Sequence, residues 1–250
     1  NLSDLSALGA EPYSYTLSLS LPKWIKEDWI KTFAKKLFYL QKKHHFFLLG
    51  GDISKSKQIV ISANFYGYVE KNLILKREFP KIGDTIWVTG NIGENHTGLL
   101  FKKNKLFVNK KYQKYFFNKY LFPQPCMIGS KIKNISSSAI DISDGFYGDL
   151  SLLLNNNKLG AYIESSQIPF SKKTKFLIKN NLINSNSLLT GGDDYQLIFT
   201  TSVNNNNKVF NICKKNKCKI SKVGRIIDKK GIFIDGKKLL NFKKSFQYFF

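Results

Sequence analysis

A chain of 250 residues, 42% of them hydrophobic, has room for one large domain or two small ones and is too apolar for wholesale disorder. Its formal charge of +23 invites a polyanion partner. That charge is nearly all lysine, scattered along the chain, with Arg77 and Arg225 the two arginines, so it reads as a solvated surface that adheres to polyanions non-specifically and not as a specific nucleic-acid reader.

No apolar run approaches a membrane span, and no secretory pattern opens the chain. Cys126, Cys213 and Cys218 are odd in number and lack metal-ligand spacing, which suits reduced thiols in the cytoplasm. The chain opens at Asn1, already in a helix-start pattern, and reads as the remnant of a longer one.

Residues 1–9 predict a short helix with Leu2, Leu5 and Leu8 as its apolar face, Asn1 or Ser3 as cap and Asp4 in the first turn. Residues 13–21 alternate as a half-buried strand ended by Pro22. Residues 26–43 predict an amphipathic helix whose Trp29, Ile30, Phe33, Leu37 and Leu40 serve as core. Residues 46–49 form a short apolar strand that stops at Gly50-Gly51, where paired glycines allow a sharp turn, and Asp52 follows. Residues 58–70 give a long strand, and residues 77–84 a polar connection with a domain junction near Ile82. Strand 85–89 ends at Gly90, and residues 99–122 predict helix up to Pro123.

Residues 138–142 then suit a buried strand, Gly145 breaks it, and residues 146–154 resume with helical spacing. Beyond lie a strand at 161–163, helices at 171–183 and 209–214, an alternating strand at 196–201, and strands at 218–223 and 232–234 paired as a terminal hairpin.

The junction Asp141-Ile142-Ser143-Asp144-Gly145 carries two carboxylates and a hydroxyl where a strand gives way to a helix, the usual place for a ligand in an α/β layer. Taken alone, Ser143 or Asp144 is better explained as a helix cap. Yet Asp4, Asp52, Asp141, Asp144, Asp149, Asp193 and Asp194 all fall at turns or helix starts of a lysine-rich chain. Carboxylates that converge repel, and divalent cations bridging them to phosphates offset the repulsion, as phosphoryl transfer requires. His44, His45 and His96 lack zinc-ligand spacing with cysteine; a nucleophile elbow, a Walker loop and a dinucleotide fingerprint are all missing.

Asn1-Leu2-Ser3-Asp4, Gly50-Gly51-Asp52, Gly83-Asp84-Thr85-Ile86-Trp87-Val88-Thr89-Gly90, Asp141-Ile142-Ser143-Asp144-Gly145 and Thr190-Gly191-Gly192-Asp193-Asp194-Tyr195 stand in the order found in the thiamine-monophosphate kinases of the PurM-like superfamily, which the chain resembles. The resemblance implies an α/β fold of two PurM-like domains, an incomplete N-terminal one over residues 1–82 and an α/β C-terminal one over residues 83–250. It implies Mg²⁺-dependent transfer of the ATP γ-phosphoryl group to thiamine phosphate. Asp4, Asp52, Asp141 and Asp144 take the place of Mg²⁺ ligands. Gly51, Asp52, Arg77 and Ser143 take the place of nucleotide contacts. Asp193, where the family often has Glu, and Phe246 face the thiamine moiety.

The family's opening segment, with further acids and strands of the layer through which its members form homodimers, has no counterpart here. The alternatives are another PurM-like ATP-dependent synthetase and a basic, non-catalytic module for polyanions.

Overall fold

A computed structural model describes residues 1–154 and 158–240 of the chain. Helix α1 (Leu2–Ala7) leads into strand β1 (Glu11–Leu21), helix α2 (Glu27–His44) crosses over, and β2 (Phe47–Lys55) and β3 (Val60–Tyr68) flank β1, parallel and antiparallel respectively. The helical crossover is what a parallel neighbour requires, whereas β3 can follow β2 by a short link.

Three details of this first half differ from the sequence reading. The face of α1 that is buried is Ser3, Ser6 and Ala7, while Leu8 is 45% exposed. Small residues let the helix backbone lie close to its neighbours: a Cβ on Gly129 would stand 1.7 Å from the Ser6 carbonyl oxygen. Helix α2 buries no residue fully; Trp29 stacks on Phe33 at 5.4 Å along a half-covered stripe, so these rings are not core. Strand β2 does not stop at the paired glycines but runs through Gly50-Gly51-Asp52. The register slips there, with Tyr15 opposite Leu48 and Thr16 opposite Gly50, which makes Leu49 the extra residue of a bulge. Gly51 follows because a Cβ would lie 1.8 Å from the Leu17 carbonyl oxygen.

After the connection come β4 (Thr85–Thr89), α3 (Glu94–Lys102), α4 (Lys110–Leu121), α5 (Gly129–Ile132), β5 (Ser136–Asp141) and α6 (Phe146–Leu154). Then follow β6 (Gly160–Ile163), α7 (Lys172–Lys179), α8 (Ser185–Leu189), β7 (Leu197–Thr201), α9 (Asn206–Lys215), β8 (Ile220–Ile227), β9 (Gly231–Ile234) and β10 (Lys237–Lys238). The strands form one sheet in the order β10-β9-β6-β8-β4-β7-β5, antiparallel except for the β6–β9 pair.

Alternation along β4 divides the core: Ile86 and Val88 face Phe146, Leu150 and Leu153 of α6, while Trp87 faces Ile132, Val209 and Cys213 of α5 and α9. Trp87 meets its polar need by donating from Nε1 to Thr201 Oγ1 at 2.9 Å.

The single helix expected over 99–122 is two. Asn104 takes a left-handed φ of 53° after α3, and Asn109 restarts the helix by accepting from the Tyr112 N–H at 3.1 Å. The expected terminal hairpin is also absent, because β6 lies between β8 and β9.

Candidate active site

The end of β5, the start of α6, helix α1 and residues 75–77 enclose a cleft of about 270 Å³ lined by Asp4, Arg77, Asp141, Ser143, Asp144 and Asp149 among others. The parts come from distant places in the chain and are held by specific bonds. Ser3 Oγ donates to Asp141 Oδ2 at 2.6 Å, and the Gly129 N–H donates to Ser6 Oγ at 3.1 Å, which seats α1 against the second sheet. The Leu75 N–H donates to the Leu8 carbonyl at 3.0 Å and brings the following Arg77, the one cationic side chain among the described lining residues, to the rim.

The turn after β5 is fixed from within. Asp149, buried on the first turn of α6, accepts from the N–H groups of Ser143, Asp144 and Gly145 at 3.0, 3.0 and 3.1 Å. It does for the helix start what a capping side chain does from outside, and it frees Ser143 and Asp144 from that duty. The chain before β7 closes the other side: the Tyr195 N–H donates to the Ile142 carbonyl at 2.8 Å and the Asp193 N–H to the Ser143 carbonyl at 2.9 Å. Backbone meets backbone here, so a Cβ on Gly192 would stand 2.1 Å from the Ser143 carbonyl oxygen. Asp193, at φ 70°, accepts from the Tyr195 hydroxyl at 2.9 Å, and Asp194 is buried, with Oδ2 accepting from the Gly93 N–H at 2.7 Å.

The electrostatics are those of a site short of positive charge. Burial pushes the Asp141 carboxyl above its usual range, the Ser3 hydrogen bond opposes this, and the negative charge of Asp4 adds to it. Burial and the charge of Asp193 raise Asp144. Burial drives Asp149 up to about 7, against the bonds from its backbone donors. Such a set of hard oxygen atoms is chemically suited to Mg²⁺. Among the described residues no group of three or more His, Cys, Asp or Glu is preassembled to hold a metal. Mg²⁺ usually takes one or two carboxylates and completes its shell with water and substrate phosphate, so this donor set fits that ion.

The structure thus gathers Asp4, Arg77, Asp141, Ser143 and Asp144 in one cleft, with Asp193 close enough to Asp144 to raise it. Gly51 and Asp52 lie on exposed β2, where Asp52 pairs with Ser18, and they do not line this cleft. Phe246 lies outside the described residues. Sequence reasoning offered Ser3 as a helix cap; in the structure it lies inside α1 and its hydroxyl goes to Asp141 instead, a partner 138 residues away that local sequence does not signal. Nor did it find the anchoring role of Asp149, although its spacing of four residues from Gly145 is one helical turn.

The sequence matches the family models of the AIR synthase related protein N-terminal domain over residues 1–69 and its C-terminal domain over residues 81–237. The chain therefore belongs to the AIR synthase related proteins and has their two-domain PurM-like α/β fold. It is 40% identical to the thiamine-monophosphate kinase of Buchnera aphidicola subsp. Schizaphis graminum, over 98% of this chain and 76% of that protein. It superposes on the thiamine-monophosphate kinase of Stenotrophomonas maltophilia K279a with a TM-score of 0.86 at 30% identity, over 96% of this chain and 77% of that one. A structure of AaThiL complexed with AMPPCP and TMP gives a TM-score of 0.86 at 26% identity, covering 100% of this chain and 77% of the other. Within the AIR synthase related proteins, the chain belongs to the thiamine-monophosphate kinase family, and it is a kinase.

Proposed function

We propose that the chain transfers the γ-phosphoryl group of ATP to thiamine phosphate by direct in-line displacement with Mg²⁺, yielding thiamine diphosphate. The cleft carries this reading: Asp4, Asp141 and Asp144 around one space, Arg77 at its rim, and a turn pinned by Asp149. AMPPCP and TMP in a relative with which the whole of this chain aligns, over 77% of that relative, support the choice of nucleotide and acceptor.

Asp4, Asp141 and Asp144 would hold Mg²⁺, which supplies neutralisation of phosphate charge. The Arg77 guanidinium forks onto phosphate oxygens, and the Ser143 hydroxyl donates to another. Asp193 offers its carboxylate to the aminopyrimidine or the thiazolium charge. Gly51 and Asp52 lie on β2 outside this cleft; their reading as nucleotide contact and metal ligand is supported by the shared order of motifs alone. No covalent intermediate is needed; the work is positioning and charge compensation.

We put the boundary between the two domains at residues 82 and 83, a reading supported by the start of the second family model at 81. No helix among the described residues is long and apolar enough to cross a membrane, and the free thiols suit a cytoplasmic setting. A homodimer forms through the three-stranded sheet, whose Leu48, Leu49, Ile53 and Ile61 stand exposed.

Substituting Asp141→Asn or Asp144→Asn tests the reading. Each is expected to lower thiamine diphosphate formation by about a hundredfold or more while the circular dichroism spectrum persists. Undiminished turnover in both variants would sink the assignment.

A further inference from the structure

The chain's three cysteines, which show no motif in sequence, come from three segments and meet on the Trp87 side of the second sheet. Cys126 precedes α5, Cys213 is in the last turn of α9, and Cys218 precedes β8. The sulfurs of Cys126 and Cys218 lie 3.5 Å apart across 92 residues of sequence. Both are half-buried, whereas Cys213, which hydrogen-bonds Cys218, is fully buried.

We propose that Cys126 and Cys218 form a site of oxidative modification that closes to a disulfide when hydrogen peroxide is the oxidant. Both residues stand in connections and not within helices or strands, which gives each backbone room for the approach of about 1.5 Å that bonding at about 2.0 Å requires.

The Cys126 sulfur, as thiolate, attacks one peroxide oxygen. The S–O bond forms, the O–O bond breaks, and the departing hydroxide takes up the thiol's proton as water. Cys218 sulfur then attacks the Cys126 sulfenic acid. The S–S bond forms, the S–O bond breaks, and the hydroxide leaves with the Cys218 proton as a second water. Two thiols and one peroxide become one disulfide and two waters.

The order of attack follows from the surroundings. Contact with Cys218, and hydrogen bonds from Thr89 and the Ile128 backbone, lower the Cys126 thiol against the effect of burial, which favours it as the attacking sulfur.

The pair touches the loop that carries Asp193. The Cys126 N–H donates to the Tyr195 carbonyl at 3.0 Å, and Gln196 Nε2 donates to the carbonyls of Gln124 at 3.2 Å and Asp194 at 3.3 Å. Drawing Cys126 toward Cys218 pulls on that loop, so the oxidised protein turns over more slowly. The modification stands independently of the proposed function; only this effect on turnover rests on it.

The full chain is treated with hydrogen peroxide, alkylated and digested for mass spectrometry. A linked peptide joining Cys126 to Cys218 is expected, with free thiols falling from three to one and dithiothreitol restoring all three. Cys218→Ser should yield instead a Cys126 sulfenic acid that dimedone traps. Retention of all three thiols at a peroxide level that oxidises glutathione, or a link that runs through Cys213, overturns the proposal. The unsubstituted chain alone gives that answer, so a variant that fails to fold does not obscure it. Turnover that is equal in linked and reduced protein overturns the coupling alone, whereas reduced protein without kinase activity counts against the proposed function.

Discussion

Asp194 stands apart from the other acids of its loop. It is buried, its Oδ1 has no hydrogen-bond partner among the described residues, and burial pushes its carboxyl up to about 8. Such burial favours the protonated acid over a costly ionised carboxylate. A native value of about 8 against the ordinary 3.8 means that the folded state holds this proton while the unfolded state has released it. Stability from this group is full below the ordinary value, falls as pH climbs between the two, and is flat above the upper one. Asp194→Asn keeps the shape and removes the titration. Urea midpoints of the variant relative to the original chain should rise as pH goes from about 4 to about 8. A constant difference over that range would show that Asp194 is ionised in the fold. Nothing in Gly-Gly-Asp-Asp-Tyr distinguishes the two acids by composition; the distinction is made by Gly93, which reaches Asp194 from 101 residues away.

At the scale of elements, local pattern served where one segment meets its own neighbours. The strand–turn–helix of β5 and α6 was legible because small and β-branched residues, a glycine and an apolar helical repeat follow one another directly. The bulge of β2 was not, since paired glycines signal a turn and a bulge equally well until the partner strand is known. The two glycines separate by test. Gly51→Ala drives a Cβ to within 1.8 Å of the Leu17 carbonyl oxygen, while a Cβ on Gly50 meets nothing within 4 Å. Gly51→Ala is expected to cost about 3 kcal/mol and Gly50→Ala less than about 1 kcal/mol in urea unfolding. Equal costs would mean that β1 and β2 are not paired in this register. The reading of 99–122 as one helix failed for a related reason: aromatic spacing continues through it, and the cap at Asn109 is a local signal that the longer pattern overrode.

For the whole molecule, the two sheets are finished to different degrees. β4 and β7 are buried along their full length, whereas every residue of β2 is exposed. Leu49 at 61% and Ile53 at 63% exposure are costly to leave in water unless another surface covers them. Substituting both by Lys is expected to convert a dimer to a monomer in sedimentation velocity; a monomer before substitution would remove the proposed interface.

The cleft is likewise a property of the whole. By itself the sequence determined the strand–helix junction with its acids and the family, because residue type, spacing and motif order are written along the chain, while Asp52, read at a turn, lies within β2. Only the tertiary structure decided that Ser3 bonds Asp141 across 138 residues with the Asp4 charge beside it, that Asp149 gives its carboxylate to three backbone donors, and that Cys126 finds Cys218. Contacts between distant segments depend on the order of strands in the sheets and on which side of each helix is buried, and those are fixed by packing rather than by local spacing.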